Sequence, residues 1–369
     1  MFPSVDPIPL PAPVWLMKLL SHVTLALHFS AVMLLIGSLL LVCWHNARGR
    51  ARKDDDQLSA SFVLARRLPV IMTYVINLGI PPLLFAQVLY GRALYTSSIL
   101  IGVMWFSVIL LLMLNYHLLY RIGNRIEAGK AGWGLALMAL LVTMSIGHIY
   151  STNMTLMLRP EVWQQMYAHS PNGLQDVHGD PTLTPRWLFV MAGGPVFGGL
   201  WALVLSNMGH ISNGVKRHLR RSGGALTAIG AVGQIACALL VATRQSGVVQ
   251  QGLASHALYH ISGLLFLATI VLTAALAAFQ GAKTLSNVPL AAAGLLTGFL
   301  SVASSVIYRD GIRDLTLLRK GFDVWNRVEY SNWSVIGLFL VLFVAMLGIL
   351  GWLLMVMRQA TAPIEQVTQ

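Results

Sequence analysis

Charge is what this sequence has least of. Only 10% of its 369 residues are Asp, Glu, Lys or Arg, where a soluble domain carries roughly 25%. So few charges do not cover a soluble surface, and with 56% hydrophobic residues the same arithmetic excludes intrinsic disorder and a soluble enzyme. Acids are scarcer than bases, thirteen against twenty-five, for a net charge of +12. A basic surplus spread over one face would suggest nucleic acid. Here it falls in short runs between long apolar segments, so a membrane protein is expected and nucleic acid is not. Cysteine is nearly absent: Cys43 and Cys237 leave no disulfide framework, no CxxC site and no CxxCH attachment for a covalent haem. No Lys or Arg precedes the first apolar run, which predicts a retained first span and not a cleaved signal peptide.

What is present is a series of apolar runs of about 20 residues or more, the length that crosses a bilayer. Nine can be drawn, near 14–44, 67–91, 97–120, 133–158, 187–210, 223–243, 254–280, 287–308 and 333–357. They predict an all-α polytopic helix bundle forming a single integral membrane domain over 1–369. The dense basic clusters, among them Arg48, Arg50, Arg52 and Lys53, then Lys216, Arg217, Arg220 and Arg221, fall on one side. Fifteen of the twenty-five basic residues do so. The positive-inside rule then puts the N-terminus outside and the C-terminus inside, in a bacterial cytoplasmic (inner) membrane. Segments 159–186 and 309–332 become the two sizeable external loops, the second carrying five basic residues with four acids. In the fifth span, Gly193-Gly194-Pro195-Val196-Phe197-Gly198-Gly199 offers small residues at helical spacing, read as a face for close helix packing.

The spans drawn this way contain no carboxylate. All thirteen acids, Asp310 and Asp314 included, fall outside them, which counts against proton pumps, proton-coupled transporters and cation channels. Histidines do fall within them. Neutral imidazole is an iron ligand that membranes tolerate, so haem b gains weight. At about 1.5 Å of rise per residue, His28 lies roughly 20 Å and His148 about 15 Å from the external ends of their helices. His22, His256 and His260 lie shallower, on the order of 3 to 12 Å in. These five cluster in the external half, and His28, His148 and His260 are the strongest candidate iron ligands. His117 is near the opposite end of its span, and His210 and His218 lie at the inner surface, where hydrogen bonding or headgroup contact accounts for them.

The first span reads Leu27-His28-Phe29-Ser30-Ala31-Val32-Met33-Leu34-Leu35-Ile36-Gly37. It resembles the first helix of the large subunit of the cytochrome bd quinol oxidase family, in which the histidine binds haem. The short-loop pair of spans two and three, Asn77-Leu78-Gly79 through Gln87-Val88-Leu89-Tyr90-Gly91 to Tyr95-Thr96-Ser97-Ser98, is similar, as is the Arg-containing exit Tyr308-Arg309-Asp310-Gly311. The resemblance implies nine helices, haem b and a quinone, with His28 as a haem ligand. Departures from the family are specific. The fifth-helix haem histidine is replaced by Met191, and the family's partner methionine on the seventh helix falls near His260, so the ligand types are either exchanged or that haem is lost. Ser304, Ser305 and Val306 stand where the eighth helix carries a carboxylate, and the long quinol-binding loop shrinks to about ten residues around 245–253.

The expectation is a membrane cytochrome b-like subunit, without oxygen reductase activity, that passes electrons between the quinone pool and a periplasmic c-type cytochrome or other complex subunits. Its candidate cofactor-binding residues are His22, His28, His148, Met191, His256 and His260, and membrane lipid surrounds it. A haem-free structural anchor and a transporter are the competing classes. The mixed Trp, Tyr and charge composition of the two external loops suits a docking face.

Overall fold

The computed structural model describes residues 9–169, 172–174, 179–209, 211–283 and 287–360. Asp6, Asp176, His210 and Glu365 lie outside these. The elements are α1 (Val14–Arg52), α2 (Asp55–Ala65), α3 (Leu68–Leu100), α4 (Gly102–Glu127), α5 (Trp133–Leu156), α6 (Trp163–His169), α7 (Leu183–Leu205), α8 (Asn213–Thr243), α9 (Gly247–Ser255), α10 (Ala257–Ala282), α11 (Val288–Arg319) and α12 (Trp333–Ala360). Nine helices, counting α2 with α3, are long and apolar enough to cross a membrane among the described residues. The protein is a multi-pass membrane protein.

The apolar runs place the spans but not their ends. Helix α1 continues through the basic run to Arg52 and stops where Lys53 adopts a left-handed conformation at φ 53°. Asp54 then caps α2, its carboxylate accepting from the Gln57 backbone N–H at 3.0 Å. That bond, with the Gln57 side-chain amide beside it, holds the Asp54 carboxyl below its ordinary range. Helix α8 starts at Asn213, capped by the Ser212 hydroxyl, and so includes all four bases from Lys216 to Arg221. At the other end of the bundle Pro13 leaves α1 without a side-chain cap of its own. Glu329, distant in sequence, accepts from the Val14 N–H at 2.9 Å, and residues 10–11 pair with 328–332 through three backbone bonds.

The largest revision concerns segment 309–332, expected to be an ordered loop or short amphipathic helices at the external surface. Nearly half of it is helical: α11 runs unbroken from Val288 to Arg319 and carries Asp310 and Asp314 inward, 2% and 7% exposed. The carboxylates taken to lie outside the spans thus include two that are buried within a membrane-spanning helix.

Helix α7 packs along α8, α10 along α11, and α1 against both α3 and α7. The glycine-rich face makes the α1–α7 contact: a Cβ on Gly37 would sit 2.0 Å from the Gly194 carbonyl oxygen, and one on Gly198 2.5 Å from Gly37 Cα. With lipid as solvent, such backbone contact and interhelical hydrogen bonds supply the cohesion that water supplies elsewhere. Asn115 donates to Thr143 at 2.8 Å, Asn153 to Ser98 at 2.9 Å, and Thr273 to Thr297 at 2.8 Å. Gly37→Ala is expected to destabilise the bundle by about 1–3 kcal/mol, the usual cost of overpacking. Gly123→Ala is its control, since nothing lies within 4 Å of the added methyl; thermal midpoints of the two variants in detergent check this.

Candidate functional site

The site begins at His28. Its Nδ1 lies 3.1 Å from the Val75 carbonyl oxygen on α3, and a carbonyl only accepts, so Nδ1 carries the proton and the Nε2 lone pair is free. No group among the described residues bonds Nε2. The ring occupies a notch that exists because residue 79 is glycine, where a Cβ would come within 2.8 Å of His28 Cε1. A proton fixed on one ring nitrogen by a backbone carbonyl, with the other nitrogen unengaged, is how a metal-binding histidine is oriented. His28 therefore fits an iron ligand, with Val75 and Gly79 setting its direction.

The other predicted residues are distributed differently. His148 meets the Trp187 indole edge-on, ring centres 5.6 Å apart, and Met191 lies beside it in depth: a Cβ on neighbouring Gly147 would be 3.1 Å from Met191 Cε. The α5–α7 contact thus brings His148 and Met191 to one level, each eight residues from the same end of the bundle. His256 and His260 are exposed. His256 forms the junction of α9 and α10 and stacks on Tyr259 with ring centres 4.4 Å apart, while Met191 is buried on α7. His117 is exposed, and His218 lies 3.4 Å from Asp54 at the opposite end. Among the described residues no three His, Cys, Asp or Glu side chains converge.

His22 belongs to a second constellation that the sequence reading missed. Its Nε2 donates to Asp310 at 2.9 Å, so that nitrogen's proton is committed to a carboxylate. Around Asp310 gather Lys18 from α1, Tyr90 from the kink in α3 (φ −124°, ψ 21°), and Arg313 and Asp314 from α11. Lys18 Nζ lies 2.8 Å from Asp310 and 2.6 Å from Asp314, and also donates to the Tyr90 hydroxyl. That hydroxyl is 3.0 and 2.8 Å from the two carboxylates. Arg313 pairs with Asp310 and lies over the Tyr90 ring, 4.1 Å from its centre, and the Trp325 indole donates to Asp314 at 3.1 Å. Two cations, Lys18 and Arg313, meet the two anions directly, and the cluster ties three helices to the segment after α11. Lys18 was the available signal: a cation in the first apolar span needs a buried counter-charge.

The two segments expected to be external converge beside this cluster. Around a cavity of about 340 Å³ stand Arg159, Glu161, Asp180, Arg186, Arg319 and Lys320, with Arg244 from the end of α8. Lys320 pairs with Glu161 across them. Burial alone would raise the Glu161 carboxyl, but Lys320 and Arg159 hold it below its ordinary range. The shortened loop before α10 is itself structured as α9.

With this geometry in place, comparison with known proteins is informative. No family model matches the sequence, and no curated protein matches it. Among solved structures, bd oxidase from Geobacillus thermodenitrificans superimposes with a TM-score of 0.66 at 13% identity, over 96% of this chain and 100% of the other. The chain has a bd-oxidase-like fold. At that identity the likeness establishes the arrangement of helices, while the chemistry rests on this chain's own residues. A bd-oxidase-like bundle here carries an oriented histidine on its first helix, a buried ion cluster at one end, and Ser304, Ser305 and Val306 in the middle of its eighth span.

Proposed function

We propose that this bd-oxidase-like chain is a membrane cytochrome b-like subunit of a respiratory complex. In this reading it carries electrons between the quinone pool and a periplasmic c-type cytochrome and does not reduce oxygen. The observation that carries the reading is His28: a half-buried imidazole with its proton held by Val75 and its Nε2 unengaged. Bound there, a b-type haem would supply one-electron redox chemistry. The chain's residues do the rest: Val75 fixes the tautomer, Gly79 leaves room for the ring, and the α1–α7 backbone contact keeps the ligand helix rigid. His148 and Met191, level with one another on α5 and α7, are the next donors in reach of the bundle interior.

Oxygen reduction requires delivered protons. Asp310 and Asp314, the buried carboxylates on α11, have their oxygens taken up by Lys18, Arg313, Tyr90 and Trp325, so neither faces an open path along which a proton could be passed on. Negligible quinol-dependent oxygen consumption by the isolated chain is therefore expected, read with an oxygen electrode. The joined segments around Lys320 and Glu161 support a docking face on the same end as the buried cluster, the end taken in this reading as external.

The haem-free anchor draws its support from the same cluster, since Lys18, Tyr90, Asp310 and Asp314 tie helices together without any cofactor. The readings differ in colour. Purified from cells with ample haem, the chain is expected to give a reduced-minus-oxidised haem b spectrum, a pyridine haemochrome, and colour removed by acid–acetone. A folded, colourless preparation would mean the anchor reading is correct.

A further inference from the structure

The end of the bundle opposite the ion cluster carries a basic groove that electron transfer does not use. It lies between α8 and α10, has a volume of about 750 Å³, and is lined by Arg217, Arg220, Arg221 and Lys283 with no acidic side chain among its lining residues. Its floor is nearly bare backbone: a Cβ on Gly224 would sit 2.8 Å from the Ala277 carbonyl oxygen, and one on Gly281 3.0 Å from Gly224 Cα.

Arg220 gives the groove its meaning. It is only 7% exposed, yet no carboxylate or hydrogen-bond acceptor among the described residues meets its guanidinium. A buried cation without a partner is costly. The carboxylate nearest the rim, Asp56 against Gly214, takes the Ser212 hydroxyl at 3.4 Å instead. The groove also has direction. From its basic rim an apolar stripe continues along α8 through Ala225, Ala228, Ile229 and Val232, the last two 67% and 70% exposed on a membrane-spanning helix. A basic pocket between membrane helices that opens onto lipid-facing apolar surface suits an amphiphile with an anionic head.

We infer that this groove is a binding site for an anionic phospholipid, its phosphate held by Arg220 with Arg217, Arg221 and Lys283 around it, and an acyl chain lying along the α8 stripe. The apolar continuation is what favours a lipid over a phosphate ion from solution. The site stands apart from His28 and does not depend on haem.

The test is a titration of the delipidated full chain in neutral detergent with phosphatidylglycerol, read by native mass spectrometry. Each basic residue near a membrane surface contributes about 1 kcal/mol to anionic lipid binding, about fivefold in affinity. Arg217→Gln with Arg221→Gln is therefore expected to weaken binding about 25-fold. Both side chains are exposed, so the fold is not at risk. Arg220→Gln is expected to weaken binding at least as much as one of them while leaving the thermal midpoint unchanged or raised, because no protein partner is lost. Arg121→Gln with Lys130→Gln, basic residues at the same end but outside the groove, should leave binding intact. Equal weakening by this control pair, equal affinity for phosphatidylcholine, or inorganic phosphate displacing the lipid at comparable concentration would each overturn the assignment, the last in favour of a free-anion site.

Discussion

His28→Ala abolishes the haem b absorption of the purified chain, or the portion belonging to one haem where several bind, and leaves the protein inserted in the membrane. This result is expected because the substitution removes the Nε2 lone pair and little else. The ring makes one hydrogen bond, to Val75, and a single such bond contributes about 1 kcal/mol, too little to unfold the bundle. Two further variants separate ligation from packing. Gly79→Ala keeps the imidazole but places a methyl 2.8 Å from Cε1, so the ring tilts and the spectrum shifts without disappearing. His28→Gly with added imidazole restores the missing ligand from solution and recovers part of the absorption. His117→Ala is the control, its side chain being exposed on α4, away from the Val75 and Gly79 notch that holds His28. Full haem content in His28→Ala, measured as pyridine haemochrome per protein, would remove His28 from the ligand set.

The spans were legible because hydropathy reports lipid contact directly. Exposed Phe106, Leu110 and Val341 face outward on long helices as apolar periodicity requires. That the fifth span packs closely against a neighbour was legible too, since Gly193 to Gly199 is a local pattern; that the neighbour is α1 was not. Hydropathy fails where charge is buried against charge. Read alone, Tyr308 to Lys320 is a polar stretch with two acids and four bases, and its natural assignment is a loop. Its helical signal is the spacing of Asp310, Arg313 and Asp314, three and four residues apart on one face. What makes that face a core is Lys18, 292 residues away in sequence from Asp310, and no local window contains both. His22 was misjudged for the same reason: its ring nitrogen belongs to Asp310, a partner seen only once α1 and α11 are side by side. His256 and His260 share a helical spacing but sit at the open end of α10, where exposure depends on which neighbours cover it.

Lys18→Met is expected to destabilise the protein by about 3–5 kcal/mol, the cost of removing one member of a buried ion pair. The shape of methionine nearly matches the lysine stem, so the loss is one of charge. It falls unevenly on the two carboxylates. Asp310 keeps Arg313 and His22 as direct partners, whereas Asp314 loses the ammonium 2.6 Å away and retains neutral donors, the Tyr90 and Tyr259 hydroxyls and the Trp325 indole. A buried carboxylate held by neutral donors alone favours protonation or exposure. Rescue is therefore specific. Adding Asp314→Asn to Lys18→Met removes the orphaned charge, keeps an oxygen to accept from Tyr90 and Trp325, and is expected to recover most of the lost stability. Adding Asp310→Asn is expected to recover little, since it strips Arg313 of its closest carboxylate and leaves Asp314 charged. Thermal midpoints of the single and the two double variants in one detergent decide the matter, and equal rescue by both would show that the cluster responds to net charge alone and not to the pairing of Lys18 with Asp314.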